Sequence, residues 1–270
     1  MTVVLSEAGG SYLAFSEALR EKLTTDRFAL NTKRVDEAAG DSDLYVAVGM
    51  KAASELANRN LPTLNVLVPK AGYDKLSHES ASHSTPRSAI YIDQPMERQV
   101  SLLLAALPDT RHVGLLYANL PPELPVLRRL LADRNVRLHD RQIDQAHSLN
   151  DTLESVLGES EVLFVLPDAE IYNTGTIRNI LLTAYRKQVP LIGISQAYVK
   201  AGALCAIFST PEQAANQAAA MIQRYAESGR LPAAQYPADF EVLVNTQVAR
   251  SLDLRIEDTD KLRAEIRRVP

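Results

Sequence analysis

Short apolar runs alternate with longer amphipathic stretches along most of the 270 residues, and this alternation occurs twice. In the first half the apolar runs cover residues 3–6, 43–49 and 63–68, with a weaker candidate at 28–35. In the second half they cover residues 112–118, 161–166 and 189–194. Alternation of this kind is typical of βα units that build parallel sheets with helices on both faces. The sequence therefore predicts an α/β protein with two similar lobes.

Composition excludes several classes of protein. Hydrophobic residues make up 46% and charged residues 23% of the chain, as in ordinary soluble globular proteins. A net charge of -4 argues against binding to nucleic acid. The longest apolar runs, such as residues 102–107, are far shorter than the roughly 18 to 20 residues that cross a bilayer, so we expect no insertion into a membrane.

Two further features bear on cellular compartment. The first residues lack the basic and apolar regions of a secretory signal, so we expect either a cytosolic protein or a chain without its signal segment. Cys205 is the only cysteine, which rules out an internal disulfide. We expect it to be a small buried residue with no functional role.

The stretches between the apolar runs have the period of amphipathic helices. Apolar residues at 100, 103, 104 and 107, and again at 177, 180, 181 and 184, form single stripes typical of core-facing helices. A helix is predicted over residues 212–226, with Thr210 and Pro211 at its start and Gly229 at its end. Prolines also mark three extended passages, at 91–95, 208–211 and 235–237, which fit hinges and ordinary turns equally well.

Motifs for catalysis and cofactor binding are absent from the sequence. It contains no phosphate-binding GxxxxGK[ST] loop, no GxGxxG motif after a strand and no GxSxG nucleophile motif. His78 and His83 lie in a polar run, residues 77–85, that predicts an exposed loop rather than a metal site. His112, His139 and His147 stand alone in the sequence and are predicted to be surface residues. We therefore expect no cofactor, no metal and no catalytic residue.

Two features suggest ligand binding. Gly9 and Gly10 separate the first strand from a helix. Either the amides at the start of this helix hold an anion, or the two glycines only form a tight turn. Asp168 follows the strand at 161–166, where open α/β sheets place their ligands. The same residue would serve equally well as the N-cap of the next helix, although Asn173 and Thr174 are closer to that helix.

Several stretches resemble one protein family. They are residues 162–168, 189–195 and 202–204, together with the tail at 240–254 and the segments at 92–95, 107–108 and 112–117. These resemble ABC-transporter substrate-binding proteins, whose best-understood members bind aromatic amino acids. The resemblance covers about residues 90–256, with a looser match before that.

The resemblance implies a type I periplasmic-binding-protein architecture, in which two Rossmann-like parallel-sheet lobes are joined by three crossovers. The first lobe would contain residues 1–91 and 209–235, and the second lobe residues 92–208 and 236–270. A small polar ligand would be enclosed between the lobes by hinge closure and passed to a membrane permease. The implied location is periplasmic, or extracytoplasmic with a membrane anchor, and the implied state is a monomer.

The resemblance also implies which loops meet the ligand. The candidate residues are Ser6, Gly10, Ser11, Tyr12, Gly49, Met50, Asn119, Asp168, Tyr172, Asn173, Ser195 and Tyr198. An acid like Asp168 holds the ligand ammonium in the family, while hydroxyls and helix amides of the first lobe hold its carboxylate, a role that fits Ser11 and the amides near Gly10. Tyr12, Tyr172 and Tyr198 would either line the ligand-binding cleft with flat apolar rings or pack in the core. Residues 7–12 and the Ala169-Glu170 pair after Asp168 depart from the family pattern.

Three functions are consistent with the sequence. A solute receptor that feeds a transporter is favoured, because a receptor needs only a cleft and a hinge. The alternatives are a ligand-sensing partner of a membrane signalling protein and an enzyme on the same scaffold. The effector domain of a repressor is disfavoured, because residue 3 already begins a strand and no DNA-binding helices precede it.

Overall fold

A computed structural model describes residues 1–23, 28–37, 42–79, 85–143 and 148–267. The chain divides into two compact units. The first lobe contains Met1–Gln94 and Ser209–Phe240, and the second lobe contains Pro95–Phe208 and Glu241–Pro270. The chain therefore passes three times from one lobe to the other.

The strands, in chain order, are β1 (Thr2–Leu5), β2 (Asn31–Arg34), β3 (Tyr45–Val48), β4 (Thr63–Val68), β5 (Arg87–Tyr91), β6 (His112–Tyr117), β7 (Arg137–Gln142), β8 (Val162–Phe164), β9 (Leu191–Gly193), β10 (Cys205–Phe208) and β11 (Glu241–Val244). The helices are α1 (Gly10–Lys22), α2 (Met50–Ala57), α3 (Lys70–Glu79), α4 (Met96–Ala106), α5 (Leu124–Ala132), α6 (Leu149–Glu159), α7 (Ile177–Arg186), α8 (Gln196–Ala201), α9 (Pro211–Ser228), α10 (Thr246–Ser251) and α11 (Thr259–Ile266).

The first lobe is built on a parallel sheet with strand order β2-β1-β3-β4-β5. All residues of β1, β3 and β4 are buried, as expected for strands that helices cover on both faces. The pairing of β4 with β5 shifts register between Val66 and Val68, and Leu67 between them has a φ of 55°. This irregularity lies at the carboxyl end of β4, beside the loops described below.

The second lobe is built on a sheet with strand order β11-β10-β9-β8-β6-β7. Its strands are parallel except β11, which runs antiparallel to β10. The edge strand β7 has the polar sequence RLHDRQ and no buried residue. Polar side chains on an edge strand discourage pairing with another molecule.

The predicted α/β class is confirmed, and each predicted strand is present, with the same ends for β4 and slightly different ends for the others. The predicted helix at 212–226 corresponds to α9, where Thr210 and Gln213 form a capping box and Gly229 adopts the left-handed conformation at the C-cap. Cys205 is buried as expected, and burial raises the pKa of its thiol to about 12. The prediction of an exposed loop at 77–85 is wrong for residues 77–79, which form the last turn of α3.

Candidate functional site

The predicted site residues all follow strands, at the carboxyl edge of the sheet in their own lobe. The first-lobe edge comprises Ser6, Gly10, Ser11, Tyr12, Gly49 and Met50, and the second-lobe edge comprises Asn119, Asp168, Tyr172, Asn173, Ser195 and Tyr198. Strand order reverses between β1 and β3 in the first lobe, and between β6 and β8 in the second. Open α/β sheets bind ligands at such topological switch points.

A buried hydroxyl joins the two switch strands of the first lobe. Ser6, directly after β1, is buried, and its Oγ accepts a hydrogen bond from the backbone N–H of Ala52 at 3.0 Å. Ala52 lies in the first turn of α2, which follows β3. The Ser6 side chain therefore fixes the loop after β1 against the start of α2.

Gly49 permits three segments to meet at this point. Its φ is 86°, and an added Cβ would lie 2.7 Å from Ser6 Oγ and 2.8 Å from Tyr12 Cε1. Contacts this short leave no room for a side chain. Burial raises the pKa of the Tyr12 hydroxyl, and nearby Glu7 raises it further. The tyrosine ring thus packs against the backbone at Gly49 and contacts the apolar core of the first lobe.

The first-lobe edge presents backbone N–H groups. Gly9 is the N-cap of α1 and Gly49 the N-cap of α2, and neither provides a side-chain acceptor. The first N–H groups of a helix have no partner within the helix, and the helix dipole favours an anion beside them. Gly10 and Ser11 are exposed in the first turn of α1. Met50, in contrast, packs its sulfur against Gly72 of α3.

A carboxylate joins the two switch strands of the second lobe. Asp168 follows β8, and its Oδ2 accepts a hydrogen bond from Ala118 N at 2.8 Å, just after β6. Its Oδ1 accepts one from Glu170 N at 3.0 Å. Helix α7 begins at Ile177 with Thr176 as N-cap, so Asp168 does not cap this helix. The carboxylate has about four acceptor positions, so two remain for N–H groups of a ligand.

The loop after Asp168 is held by its own polar side chains. Asn119 donates through Nδ2 to Glu170 Oε1 at 2.7 Å. Asn173 donates to the carbonyl oxygens of Ala169 and Glu170 and accepts from Gly175 N. Asn173 therefore stabilises the loop through both ends of its amide. The pairing of Glu170 with Asn119 was not predicted from the sequence, although a second acid close to Asp168 was the available signal.

The two tyrosines of the second-lobe edge differ. Tyr172 is buried in the apolar core, and its hydroxyl has no hydrogen-bond partner in the described part of the chain. Burial raises the pKa of this hydroxyl, and Tyr198 and Asp168 raise it further. Tyr198 is half-buried, with its Cβ against Gly193. Ser195 is the N-cap of α8 without a side-chain hydrogen bond to the helix.

The histidines correct one expectation. His112 and His139 do not stand alone: His112 Nδ1 and His139 Nε2 are 2.9 Å apart, and His139 Nδ1 is 3.0 Å from Glu159 Oε2. This cluster includes the first residue of β6, at the opposite end of that strand from Asn119. His83 and His147 lie outside the described residues. Among the residues that the structure describes, no three potential ligands cluster to hold a metal ion.

No described helix combines the length and apolar character needed to span a bilayer. No curated protein sequence matches the chain significantly.

Solved structures reveal the same fold. The ABC domain from Streptococcus pneumonia in complex with L-Trp is 14% identical, with a TM-score of 0.70 and 97% coverage of both chains. A substrate-binding protein with adhesive properties from Clostridium difficile, in its ligand-free open form, is 14% identical, with a TM-score of 0.72 and 96% coverage of both. A periplasmic ribose ABC transporter from Conexibacter woesei is 13% identical, with a TM-score of 0.56 and coverage of 97% and 96%.

The family model described as ABC transporter substrate binding protein matches residues 41–265. Proteins of this family are extracytoplasmic, bind small ligands and deliver them to an ABC permease. The chain therefore belongs to the ABC transporter substrate-binding proteins and has the type I periplasmic-binding-protein fold.

Proposed function

We propose that this protein captures a small zwitterionic ligand, an amino acid or a close relative, and delivers it to its permease. The supporting observation is the contrast between the two edges. The first-lobe edge offers backbone N–H donors at the starts of α1 and α2, whose N-cap residues Gly9 and Gly49 have no side chain, and Ser6 Oγ accepts one of these donors, the Ala52 amide. The second-lobe edge offers the carboxylate of Asp168, so together the edges match the two charges of an amino acid.

The ligand carboxylate is assigned to the first-lobe edge. Gly10 and Ser11 are exposed where the amides of α1 begin, and glycine there lets a ligand approach the backbone closely. The Ser11 hydroxyl supplies a further donor. A carboxylate at this position interacts favourably with the helix dipole.

The ligand ammonium is assigned to Asp168. Its two backbone hydrogen bonds fix the carboxylate before any ligand arrives, so little orientational freedom is lost on binding. An ammonium donor would use the acceptor positions that remain. Tyr198, half-buried on the same edge, would contact the ligand side chain.

Closure of the two lobes about their three connections would enclose the ligand, and the protein would act as a monomer in the periplasm or at an anchored extracytoplasmic position. The L-Trp complex of the structure from Streptococcus pneumonia supports an amino acid as the first ligand to test. We expect no cofactor and no catalytic step.

Calorimetric titration with matched compounds tests the assignment. L-Tryptophan and L-leucine carry both charges, tryptamine lacks the carboxylate, and indole-3-propionate lacks the ammonium. We expect at least one zwitterion to bind and both single-charge analogues of tryptophan to bind more weakly. At 100 times its Kd, the ligand should stabilise the protein by roughly 2.7 kcal/mol in a melting experiment. Binding of ribose or nucleosides in place of every zwitterion would contradict the proposal.

Two measurements test the remaining parts. Solution scattering should give a smaller radius of gyration at saturation with the ligand found above, and an unchanged radius would contradict closure. Transport by the reconstituted permease should depend on the protein. Ligand binding without any stimulation of transport would favour the alternative role as a sensor.

A further inference from the structure

A hydrogen-bonded chain ties together the three passages between the lobes. Gln94 Nε2 donates to Ser209 Oγ at 2.8 Å, and Ser209 Oγ donates to the carbonyl oxygen of Asp239 at 2.6 Å. In the first passage the chain leaves the first lobe after Gln94. In the second passage it returns to the first lobe at Ser209. In the third passage it leaves the first lobe again after Phe240, the residue that follows Asp239. A single hydroxyl therefore connects all three passages on the first-lobe side.

Each passage is also anchored separately within the first lobe. In the first passage, Asp93 accepts the backbone N–H of Lys70 at the start of α3. In the second, Thr210 caps α9 directly after Ser209. In the third, Gln217 of α9 donates to the carbonyl of Tyr236 and accepts from Ala238 N. The first-lobe ends of all three passages are thus fixed to secondary structure.

On the second-lobe side, two of the passages are held by a β-ladder. Strands β10 and β11 pair up to their ends, where Phe208 is opposite Glu241. Between this last pair and the Ser209–Asp239 hydrogen bond, the second passage has no intervening residue and the third passage has only Phe240. Backbone rotation in these two passages is therefore restricted to the peptide after Phe208 and to the neighbours of Phe240.

We propose that Ser209 is a positioning residue that holds the three passages together, so that the lobes close about one sharply defined axis. The hydrogen-bonded group of Gln94, Ser209 and Asp239 is called the clasp below. This inference rests on the closure proposed above. A hinge with three independent passages would allow twisting as well as closing, since each passage could rotate separately. A clasp that couples the passages leaves closure as the main motion, so the two edges would meet in one arrangement.

Electron-spin distance measurements on the ligand-free protein test the clasp. Spin labels are attached at Glu17→Cys on α1 and Arg129→Cys on α5, both exposed, while buried Cys205 is left in place. We expect a narrow distance distribution for the otherwise unchanged protein. In Ser209→Ala, the population of other arrangements should rise about five- to thirtyfold, as expected for the loss of one or two hydrogen bonds.

Four companion variants make the result specific. Ser209→Thr keeps the hydroxyl and should restore the narrow distribution. Gln94→Met should broaden the distribution, and combining it with Ser209→Ala should add little, because both remove the same bond. Ser101→Ala removes a hydroxyl that donates to Glu97 O within α4 and should leave the distribution narrow. An unchanged distribution in Ser209→Ala, a broad one in Ser209→Thr, or a broad one in Ser101→Ala would each overturn the clasp.

The experiment uses no ligand, so it is independent of which ligand binds. If no amino acid binds but Ser209→Ala broadens the distribution and Ser209→Thr does not, the ligand assignment fails and the clasp stands. If amino acids bind and Ser209→Ala changes nothing, the clasp fails and the proposed function stands.

Discussion

In each lobe, a side chain after one switch strand accepts a hydrogen bond from a backbone amide beyond the other switch strand, and this contact is called the joint. The accepting side chain differs between the lobes. In the first lobe, Ser6 Oγ after β1 accepts the amide of Ala52 beyond β3 at 3.0 Å. In the second, Asp168 Oδ2 after β8 accepts the amide of Ala118 beyond β6 at 2.8 Å. A neutral hydroxyl in one lobe corresponds to a carboxylate in the other, which shows that the topology sets the place of the joint and the side chain sets its charge.

The difference in charge extends to the surroundings. The first-lobe edge is made of glycines and helix starts, where Gly49 leaves no space for a side chain. The second-lobe edge is made of polar side chains that hold one another, with Glu170 bonded to Asn119. Backbone donors therefore dominate one edge and side-chain acceptors the other. Substitutions at the two edges should consequently fail in different ways.

The largest effect is expected at Gly49. Gly49→Ala should lower the free energy of unfolding by roughly 2 to 5 kcal/mol, because a positive φ is unfavourable for alanine and its Cβ would overlap Ser6 and Tyr12. Urea denaturation followed by circular dichroism measures the change. Ligand affinity should fall as well, since the starts of α1 and α2 would move apart.

Gly158 provides the matched control for this substitution. It lies inside α6, with open space around an added Cβ. Gly158→Ala should stabilise the protein by about 0.5 to 1 kcal/mol through the higher helix propensity of alanine. Equal losses in both variants would show that the first-lobe edge has no special need for glycine.

The second-lobe edge should respond mainly in binding. Asp168→Ala should weaken the binding of a zwitterionic ligand more than tenfold, because it removes the only charge assigned to the ammonium. It should also cost about 1 to 3 kcal/mol of stability, since two backbone N–H groups lose their acceptor. Titration calorimetry and thermal melting separate the two effects.

Ser6→Ala is the counterpart in the first lobe. It removes one acceptor from the Ala52 amide and should cost about 1 kcal/mol, as for other helix-start acceptors. Its effect on affinity should be smaller than that of Asp168→Ala, because no charge is lost. If the two variants weakened binding equally, the contrast in charge between the edges would be irrelevant to the ligand.

An effect of opposite sign is expected at Tyr172. Its buried hydroxyl lacks a hydrogen-bond partner among the described residues, and leaving such a group unpaired costs about 1 to 3 kcal/mol. Tyr172→Phe should therefore raise the melting temperature. Weaker ligand binding in the stabilised variant would indicate that the hydroxyl serves the ligand, whereas unchanged binding would indicate packing alone. A lower melting temperature would show that the hydroxyl has a partner in solution.

The sequence predicted the fold well because buried parallel strands are nearly continuous in apolar residues. The run at 63–68 coincides with β4, and the apolar stripe at 177, 180, 181 and 184 faces the core of the second lobe. The edge strand β7 has no such pattern, since most of its residues are polar and none is fully buried, and it was not predicted. The end of α3 was missed because its polar residues bury nothing.

The candidate site was less predictable, for a physical reason. Strand ends mark where a site lies, so Asp168 was found from its position after a strand, whereas Gly49 and Ser6 came from the loops that the family resemblance implies. The partners of Asp168 and Ser6 are the backbone amides of Ala118 and Ala52, and a backbone amide leaves no signal in the sequence. The pairing of His112 with His139 likewise depends on strand register, which brings residues 27 positions apart into contact.

The smallest expected effect is a pH dependence from Asp93, the acid that follows β5 in the first lobe. Burial raises its pKa above the ordinary aspartate value, although the hydrogen bond from Lys70 N partly opposes this. The folded protein therefore holds the proton more tightly than the unfolded chain does. The resulting stabilisation is complete below the ordinary aspartate pKa and is lost as the pH rises through the raised value.

Asp93→Asn should remove this loss, because the amide stays neutral while its oxygen still accepts from Lys70 N. The free energy of unfolding of the variant, relative to the unchanged protein, should therefore increase between about pH 4 and pH 7. Urea midpoints measured across this range check the sign, with exposed Glu17→Gln as the control. A difference that stays constant with pH would mean that Asp93 is as well solvated when folded as when unfolded. The half-buried carboxylate after β5 would then ionise as readily as an exposed one, and the first lobe, like the second, would carry an ionised carboxylate beyond the end of a strand.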